Sequence, residues 1–423
     1  MFDNGIVVVG LGYIGLPTSA AIATQGVSVT GIDVRRDVVD AINLGKVPIV
    51  EPDLDVAVAG AVALGTLRAT TEVPSADAFM LAVPTPSDAG KAPDLSYVKA
   101  AAESIAPVLK AGDVVILEST SPPGTTRRVS EWIAAARPDL SLPHQGEGRH
   151  DIYVAHCPER VLPGRIMVEI VENDRLVGGI TRACAERAAE VYSLFCRGEI
   201  VLTDATTAEM AKLVENSFRD VNIAFANELA GICDHLDLDV WEVIDLANKH
   251  PRVNILKPGP GVGGHCIAVD PWFIVAAAPE QSRIIRTARE INDARPHAVV
   301  AQTVSLAKPD STIAVLGLAF KANVDDLRES PAIQIVELLD EALPDARLLA
   351  VEPHVDALPP SLAGRDSVSL APLGTALAAA DVVLLLVDHQ AFMDLTLADL
   401  RDKQVVDTRG LLKAATNPLE RTS

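Results

Sequence analysis

Hydrophobic and polar positions along the chain fall into two alternating kinds of run. Short runs rich in apolar and β-branched residues recur at Ile6–Val9, Val27–Ile32, Ala78–Val83, Val114–Leu117 and Tyr153–Ala155. They return at Thr312–Leu316, Arg347–Val351, Val382–Val387 and Gln404–Val406. Runs of this length, bounded by Gly, Pro, Asp or Ser, predict strands. Helical-period segments lie between them, at Leu16–Gln25, Thr206–Leu236 and Ser282–Asn292. Strands alternating with helices predict an α/β chain with parallel sheets. The expected fold is two Rossmann-like doubly wound parallel sheets joined by a helical central domain. Its expected boundaries are 1–205, 206–305 and 306–423.

A chain of 423 residues, 49% apolar, has ample core for several globular domains. Its net charge of −21 argues against nucleic acid or an anionic membrane as partner. An anionic ligand must then be held by local Arg, Lys and helix N-termini. The five cysteines, Cys157, Cys184, Cys196, Cys233 and Cys266, are irregularly spaced with no CxxC pair, and no metal site is expected. The first apolar run leads straight into a glycine motif and reads as a strand, not a signal peptide. Val382–Val387 is far too short to span a membrane. The expected location is the cytoplasm.

The run Ile6–Val9 is followed by Gly10-Leu-Gly12-Tyr-Ile-Gly15 and then a helix. In this strand–turn–helix context the glycines make the turn, admit a pyrophosphate and let helix pack on strand. The next strand ends at Asp33, placed to bond the adenosine ribose hydroxyls. Asp33 favours NAD, while Arg35 and Arg36 keep a 2′-phosphate open. The plain alternative for Asp33 is a strand-end turn residue. Two later strands run out into Pro84-Thr85-Pro86 and Glu118-Ser-Thr120-Ser-Pro-Pro-Gly124-Thr-Thr126. Carboxyl ends of such strands are where ligands bind, so Thr85, Thr120 and Thr126 are candidate contacts to cofactor or water. As ordinary capping residues they are explained nearly as well.

The segment Cys157-Pro-Glu159-Arg160-Val161 carries a polar pair and a cysteine better suited to packing. On the long helix, Lys212, Asn216 and Arg219 share one face at i, i+4 and i+7. A solvated stripe is the bland reading, but Asn is a poor choice in an exposed mid-helix, and the rest of the circumference is apolar, as for a helix buried between domains. Four glycines, Gly259, Gly261, Gly263 and Gly264, crowd the loop just before Cys266, with Asp270 four residues on. Such a loop suits close backbone approach to a ligand beside one thiol. A surface turn with a buried Cys is the alternative. His250 and Arg252 precede this loop. Lys321, Arg328 and Arg409 lie after or near the late strands, where a phosphorylated ligand can sit.

Taken in order, GLGYIG, Asp33, the Thr120 loop, CPER, the Lys212–Asn216 helix, PGPGVGGHCIAVD and FKANVDDLRES resemble the nucleotide-sugar 6-dehydrogenases of the UDP-glucose/GDP-mannose dehydrogenase family. The likeness covers almost the whole chain. HPRVNILKPGPGVGGHCIAVDPWF and CPERVLPG are most similar to members acting on UDP-N-acetyl-D-mannosamine, with UDP-N-acetylglucosamine as the alternative substrate.

The resemblance implies oxidation of the sugar C6 alcohol to a carboxylate with two NAD+ in turn. Cys266 is implied as nucleophile and Lys212 as acid/base; the chemistry of that route then gives Asn216 to the developing oxyanion and Asp270 or Glu159, with Thr120, to the hydrolytic water. Arg160, Val161, Lys212, Asn216, Arg219, His250, Arg252, Gly263, Lys321 and Arg409 are implied as substrate contacts, His250 and Arg252 reaching from a neighbouring subunit. Tyr13, Ile14, Asp33, Thr85, Thr126 and Arg328 are implied around NAD, beside Gly10, Gly12 and Gly15. A UDP-N-acetylhexosamine substrate follows, and the long apolar helix by itself suggests a homodimer through the central domain. From another class, a plain two-electron NAD dehydrogenase needs no nucleophilic cysteine, and a nucleotide-binding sensor needs no turnover.

Overall fold

The computed structural model describes residues 2–49, 51–88, 90–146, 148–264, 266–396 and 398–412. The last stretch of the expected C-terminal segment, 413–423, lies outside them. The chain divides into two compact units, one of Met1–Glu215 with Trp272–Pro279 and one of Asn216–Pro271 with Glu280–Ser423.

The first unit is built on β1 (Ile6–Val9), β2 (Val29–Ile32), β3 (Leu67–Thr70), β4 (Ala78–Leu81), β5 (Val114–Leu117), β6 (Tyr153–His156), β7 (Arg175–Gly179) and β8 (Ile200–Asp204). They form one sheet in the order β3-β2-β1-β4-β5-β6-β7-β8. The register is parallel, as in Ile6↔Val29 and Ile6↔Ala78. One pairing departs from the expectation of an all-parallel sheet: β7 runs antiparallel to β6.

Why this sheet is doubly wound can be read residue by residue. Successive side chains of a strand point to opposite faces. Ile6, Val8, Met80, Val114 and Ile116 enter one core. Val7, Val9, Phe79, Leu81, Val115 and Leu117 enter the other. A strand apolar at every position needs cover on both faces, and helices supply it. The strands of this sheet that the apolar pattern did not predict, β3, β7 and β8, carry Arg68, Arg175 and Asp204 within their short runs.

The second unit repeats the scheme with β9 (Thr312–Leu316), β10 (Arg347–Val351), β11 (Val368–Leu370), β12 (Val382–Leu385) and β13 (Gln404–Asp407). The order β11-β10-β9-β12-β13 matches the first five positions of the other sheet. Ile313, Val315, Leu348 and Leu384 face one core, and Ala314, Leu316, Leu349 and Leu385 the other.

The long helix spans Ala205–His235, within a residue of the expectation. Its apolar side is only partly covered in the single chain. Phe218 is 68% exposed, Phe225 53% and Ile232 48%, one every seven residues. The helix Arg283–Leu306 runs well past the expected end at Asn292 because it continues through Pro296. An interior proline costs about 3 kcal/mol in a free helix. Here Pro296 is buried, its ring 3.3 Å from the position a Cβ on Gly261 would take, so packing overrides propensity. Among the described residues no helix is long and apolar enough to cross a membrane.

Candidate active site

In the first unit each glycine of the fingerprint has its own physical reason. Gly10 has φ +94°, and a Cβ there would lie 2.5 Å from the carbonyl oxygen of Ala82. Its N–H donates to Ile32 at 2.8 Å, which turns the chain at the strand end. A Cβ on Gly12 would meet nothing within 4 Å among the described residues, so this position is open to a ligand. On Gly15 it would lie 1.8 Å from the carbonyl oxygen of Gly10, so only glycine lets the first helix close on the turn. Tyr13 is exposed and Ile14 half-buried beside this opening.

Asp33 accepts the Leu11 N–H on one carboxylate oxygen at 3.1 Å and the Arg35 N–H on the other at 2.9 Å. Each oxygen keeps lone-pair capacity for a ribose hydroxyl. Arg35 is ion-paired with Asp37, and Arg36 Nε lies 3.8 Å from Asp40. Both guanidiniums thus face carboxylates of their own helix, which suits an unphosphorylated ribose. The cradle fits NAD.

The threonines divide. Thr85 donates its hydroxyl to the Thr120 carbonyl at 2.6 Å, joining the loops after β4 and β5. Thr126 is fully buried and gives both its amide and its hydroxyl to Glu209 Oε1, at 2.6 and 2.5 Å. Gly124 N–H donates to Glu209 Oε2 at 2.5 Å. A carboxylate from the long helix therefore closes the start of the helix Thr125–Ala136, where Thr126 was expected to hold cofactor. Burial raises the Glu209 carboxyl, and these hydrogen bonds pull it back. Sequence reasoning missed Glu209. Its signal was a lone acid on the side of the helix that carries Leu213.

Behind β5 and β6 lies a buried polar cluster. Glu159 accepts from Arg175 Nη1 at 2.7 Å on one oxygen and from the Arg160 amide at 2.7 Å on the other. The Arg160 guanidinium pairs with Glu215 at 2.8 Å, and Val161 packs against the core. Burial pushes the Cys157 thiol up to about 12, which leaves it unreactive. Burial, reinforced by the charge of Glu159, raises Glu118 to about 7.

In the second unit the thiol of Cys266 is exposed. Its carbonyl accepts the Asp270 N–H at 2.9 Å, so Cys266 and Asp270 share one turn leading into the helix Asp270–Ala277. Asp270 is buried, and its carboxylate accepts from Asn216 Nδ2 at 2.5 Å. Lys212 and Asn216 are half-buried one turn apart on the long helix, while Arg219 is exposed.

The glycine loop is held from both sides. A Cβ on Gly263 would lie 2.5 Å from the Glu329 carbonyl oxygen and 2.6 Å from Pro331 Cδ, and Gly264 sits against the Phe320 ring. Its glycines therefore serve close packing on the 320–331 segment as well as any ligand. At the loop's start, Asn227 accepts the Gly259 N–H at 2.9 Å and Arg295 donates to its carbonyl at 3.1 Å. Asn227 is tied through Asn292 to the buried Asp220–Arg289 pair.

Lys321 and Arg409 line one open cleft with Pro260, Gly261, Phe320 and Pro331. Arg409 pairs with Asp388 at 2.8 Å. Arg328 pairs with Asp326 in its own turn at 2.6 Å. His250 and Arg252 are exposed at the tip of a loop closed by two hydrogen bonds between Asn248 and Ile255. Among the described residues no cluster of His, Cys, Asp and Glu is arranged to hold a metal.

Three family models match along the chain. They are the NAD binding domain of the UDP-glucose/GDP-mannose dehydrogenase family at residues 4–196, its central domain at 206–294 and its UDP binding domain at 314–414. The chain is 58% identical over 412 residues to an NDP-N-acetyl-D-galactosaminuronic acid dehydrogenase of Ralstonia nicotianae, covering 97% of this chain and 96% of the relative. It is 54% identical over 416 residues to the UDP-N-acetyl-D-mannosamine dehydrogenase of Escherichia coli, covering 96% and 98%. Among solved structures, the UDP-N-acetyl-mannosamine dehydrogenase of Staphylococcus aureus superposes with a TM-score of 0.83 at 42% identity, covering 97% of this chain and 96% of the other. The chain is an NAD-dependent nucleotide-sugar dehydrogenase and belongs to the UDP-glucose/GDP-mannose dehydrogenase family.

Proposed function

We propose that the chain oxidises C6 of a UDP-N-acetylhexosamine from alcohol to carboxylate, with UDP-N-acetyl-D-mannosamine as substrate. The observation that carries this reading is the Cys266 turn: an exposed thiol one turn from a buried carboxylate already oriented by Asn216. A two-electron dehydrogenase has no use for that pairing. The relatives' names support a 2-acetamido sugar. They differ in the hexose, and the relative at 58% identity favours N-acetylgalactosamine as the second reading.

Gly10, Gly12, Gly15 and Asp33 would hold NAD, and bound NAD+ supplies the hydride acceptor for each oxidation. Lys212 takes the proton of the C6 hydroxyl. The Cys266 thiolate then adds to the aldehyde carbon, forming a C–S bond and a thiohemiacetal. Asn216 and the loop amides stabilise the developing oxyanion. The second oxidation leaves a thioester on Cys266. Asp270 directs a water to it, the C–S bond breaks, and the thiolate returns as carboxylate product leaves. Asp270 suits this task because it shares one turn with Cys266. The balance is two NAD+ reduced and one water consumed per sugar.

The exposed row Phe218, Phe225 and Ile232 supports a homodimer through the long helix, and His250 and Arg252 sit exposed, able to reach a neighbouring copy. Five free cysteines, one of them the nucleophile, suit a reducing compartment, and we place the enzyme in the cytoplasm. We assign cofactor, catalytic and nucleotide-sugar roles to 1–205, 206–305 and 306–423 in turn. The test is NADH absorbance at limiting sugar nucleotide, across UDP-N-acetylmannosamine, its gluco and galacto epimers, UDP-glucose and GDP-mannose. Two NADH per sugar is expected, and Cys266→Ser should stall short of that. One NADH per sugar, or full turnover by the variant, removes the thioester route.

A further inference from the structure

The two sheets repeat one local device, and the difference between the copies is informative. After β1, Gly10 at φ +94° donates to Ile32, and Leu11 N–H donates to Asp33 at the end of β2. After β9, Gly317 at φ +92° donates to Val351 at 2.9 Å, and Leu318 N–H donates to Glu352 at 2.7 Å. Glu352 thus stands where Asp33 stands. Asp33 is half-buried, whereas the Glu352 side chain is wholly buried against His389. Its Oε2 also accepts the Ala319 amide at 3.0 Å and lies 3.1 Å from His389 Nε2, while the His354 amide donates to Oε1 at 3.1 Å. The acid of the second fold is closed to a ribose.

His389 follows β12, and its other nitrogen has a different task. Nδ1 lies 3.0 Å from the Asn323 amide nitrogen. A backbone N–H only donates, so Nδ1 carries no proton, and the ring is the neutral tautomer whose Nε2–H donates to Glu352. Asn323 returns the contact: held at φ +60°, its Oδ1 accepts the Gln390 amide at 2.8 Å. Two reciprocal hydrogen bonds therefore clasp the loop after β9 to the turn after β12. Phe320, Lys321 and Ala322, between Leu318 and Asn323, line the cleft that Arg409 also lines. Asp388, the neighbour of His389, holds Arg409 through Nε at 2.9 Å. One three-residue turn, Asp388-His389-Gln390, thus bonds both Arg409 and Asn323, the latter two residues from Lys321.

We propose that His389 is a positioning residue for a nucleoside diphosphate: Glu352 orients its imidazole, and the imidazole fixes Asn323 so that Lys321 faces the cleft opposite Arg409. This rests on the reading that the cleft takes the UDP portion of the substrate. The two ring nitrogens can be removed separately. His389→Asn places an acceptor near the Nδ1 position and keeps the Asn323 bond. His389→Gln places its amide near Nε2 and leaves the Asn323 N–H without its partner.

The experiment is calorimetric titration of the full-length protein with UDP. His389→Asn should bind within about twofold of the parent, and His389→Gln about tenfold to a hundredfold more weakly, the scale of one charge-assisted hydrogen bond. Combined with Lys321→Ala, His389→Gln should add no further loss, a coupling that general loosening of the fold does not produce. Asn323→Gly alters only an exposed position whose φ suits glycine. It keeps the amide but loses the Gln390 bond, and should also weaken UDP severalfold. A parent that does not bind UDP overturns the cleft assignment itself. A parent that binds, with His389→Gln or Asn323→Gly binding equally well, overturns the role of His389 alone, as do additive losses in the double variant.

Discussion

Glu118→Gln tests the buried acid cluster behind β5 most directly. Glu118 is 2% exposed. The Tyr192 hydroxyl donates to its Oε1 at 2.8 Å, and its Oε2 is buried with no hydrogen-bond partner among the described residues. Burial first, and the charge of Glu159 second, raise this carboxyl from 4.5 to about 7, with Arg175 and Tyr192 acting against them. The folded chain therefore holds the proton more tightly than the unfolded chain. The resulting stability is fully present below about pH 4.5 and is lost as pH rises through about 7. The gap corresponds to about 3 kcal/mol. Glutamine cannot ionise, so the variant lacks this loss, and its buried second N–H adds only an offset independent of pH. Urea unfolding of both proteins, followed by circular dichroism from about pH 5 to about pH 8, should show the difference in stability move by about 2–3 kcal/mol in the variant's favour. A difference that stays flat with pH would falsify a buried, proton-binding Glu118.

Arg289→Met leaves Asp220 charged and unpaired among buried groups, and should cost about 3–5 kcal/mol, read as a fall in Tm. Adding Asp220→Asn should recover much of it, and no recovery would mean that the pair is not the cause. Gly263→Ala pushes a methyl into the Glu329 carbonyl and the Pro331 ring, neither of which can swing away. A loss of about 1–3 kcal/mol together with activity is expected, and unchanged activity would show that the loop has room to shift. Phe218→Asp places a charge in the exposed apolar row of the long helix. Light scattering should then report a monomer, against the dimer proposed for the parent, and an unchanged mass would move the interface elsewhere.

Local patterns settled a large share of this protein because they report on local physics. A strand apolar at every position must be covered on both faces, so both sheets were legible from runs such as Val114–Leu117. GxGxxG between strand and helix, with Asp33 at the next strand end, fixes backbone shape within about thirty residues, and the structure has that shape. The crowding of glycine before Cys266 likewise marked a backbone in tight quarters. What sequence could not supply were partners distant in the chain. Glu209 closes the helix start at Thr126 from 83 residues away, and nothing near either residue says so. The helix expected to stop at Asn292 runs on because Pro296 is buried against Gly261, a neighbour that folding supplies. The reversal of β7 depends on pairing to β6, not on its own residues. His389 is an unremarked histidine until folding sets Glu352 on one nitrogen and Asn323 on the other. Propensity and period act over a few residues, whereas burial and hydrogen-bond partnership are decided only when separated elements meet.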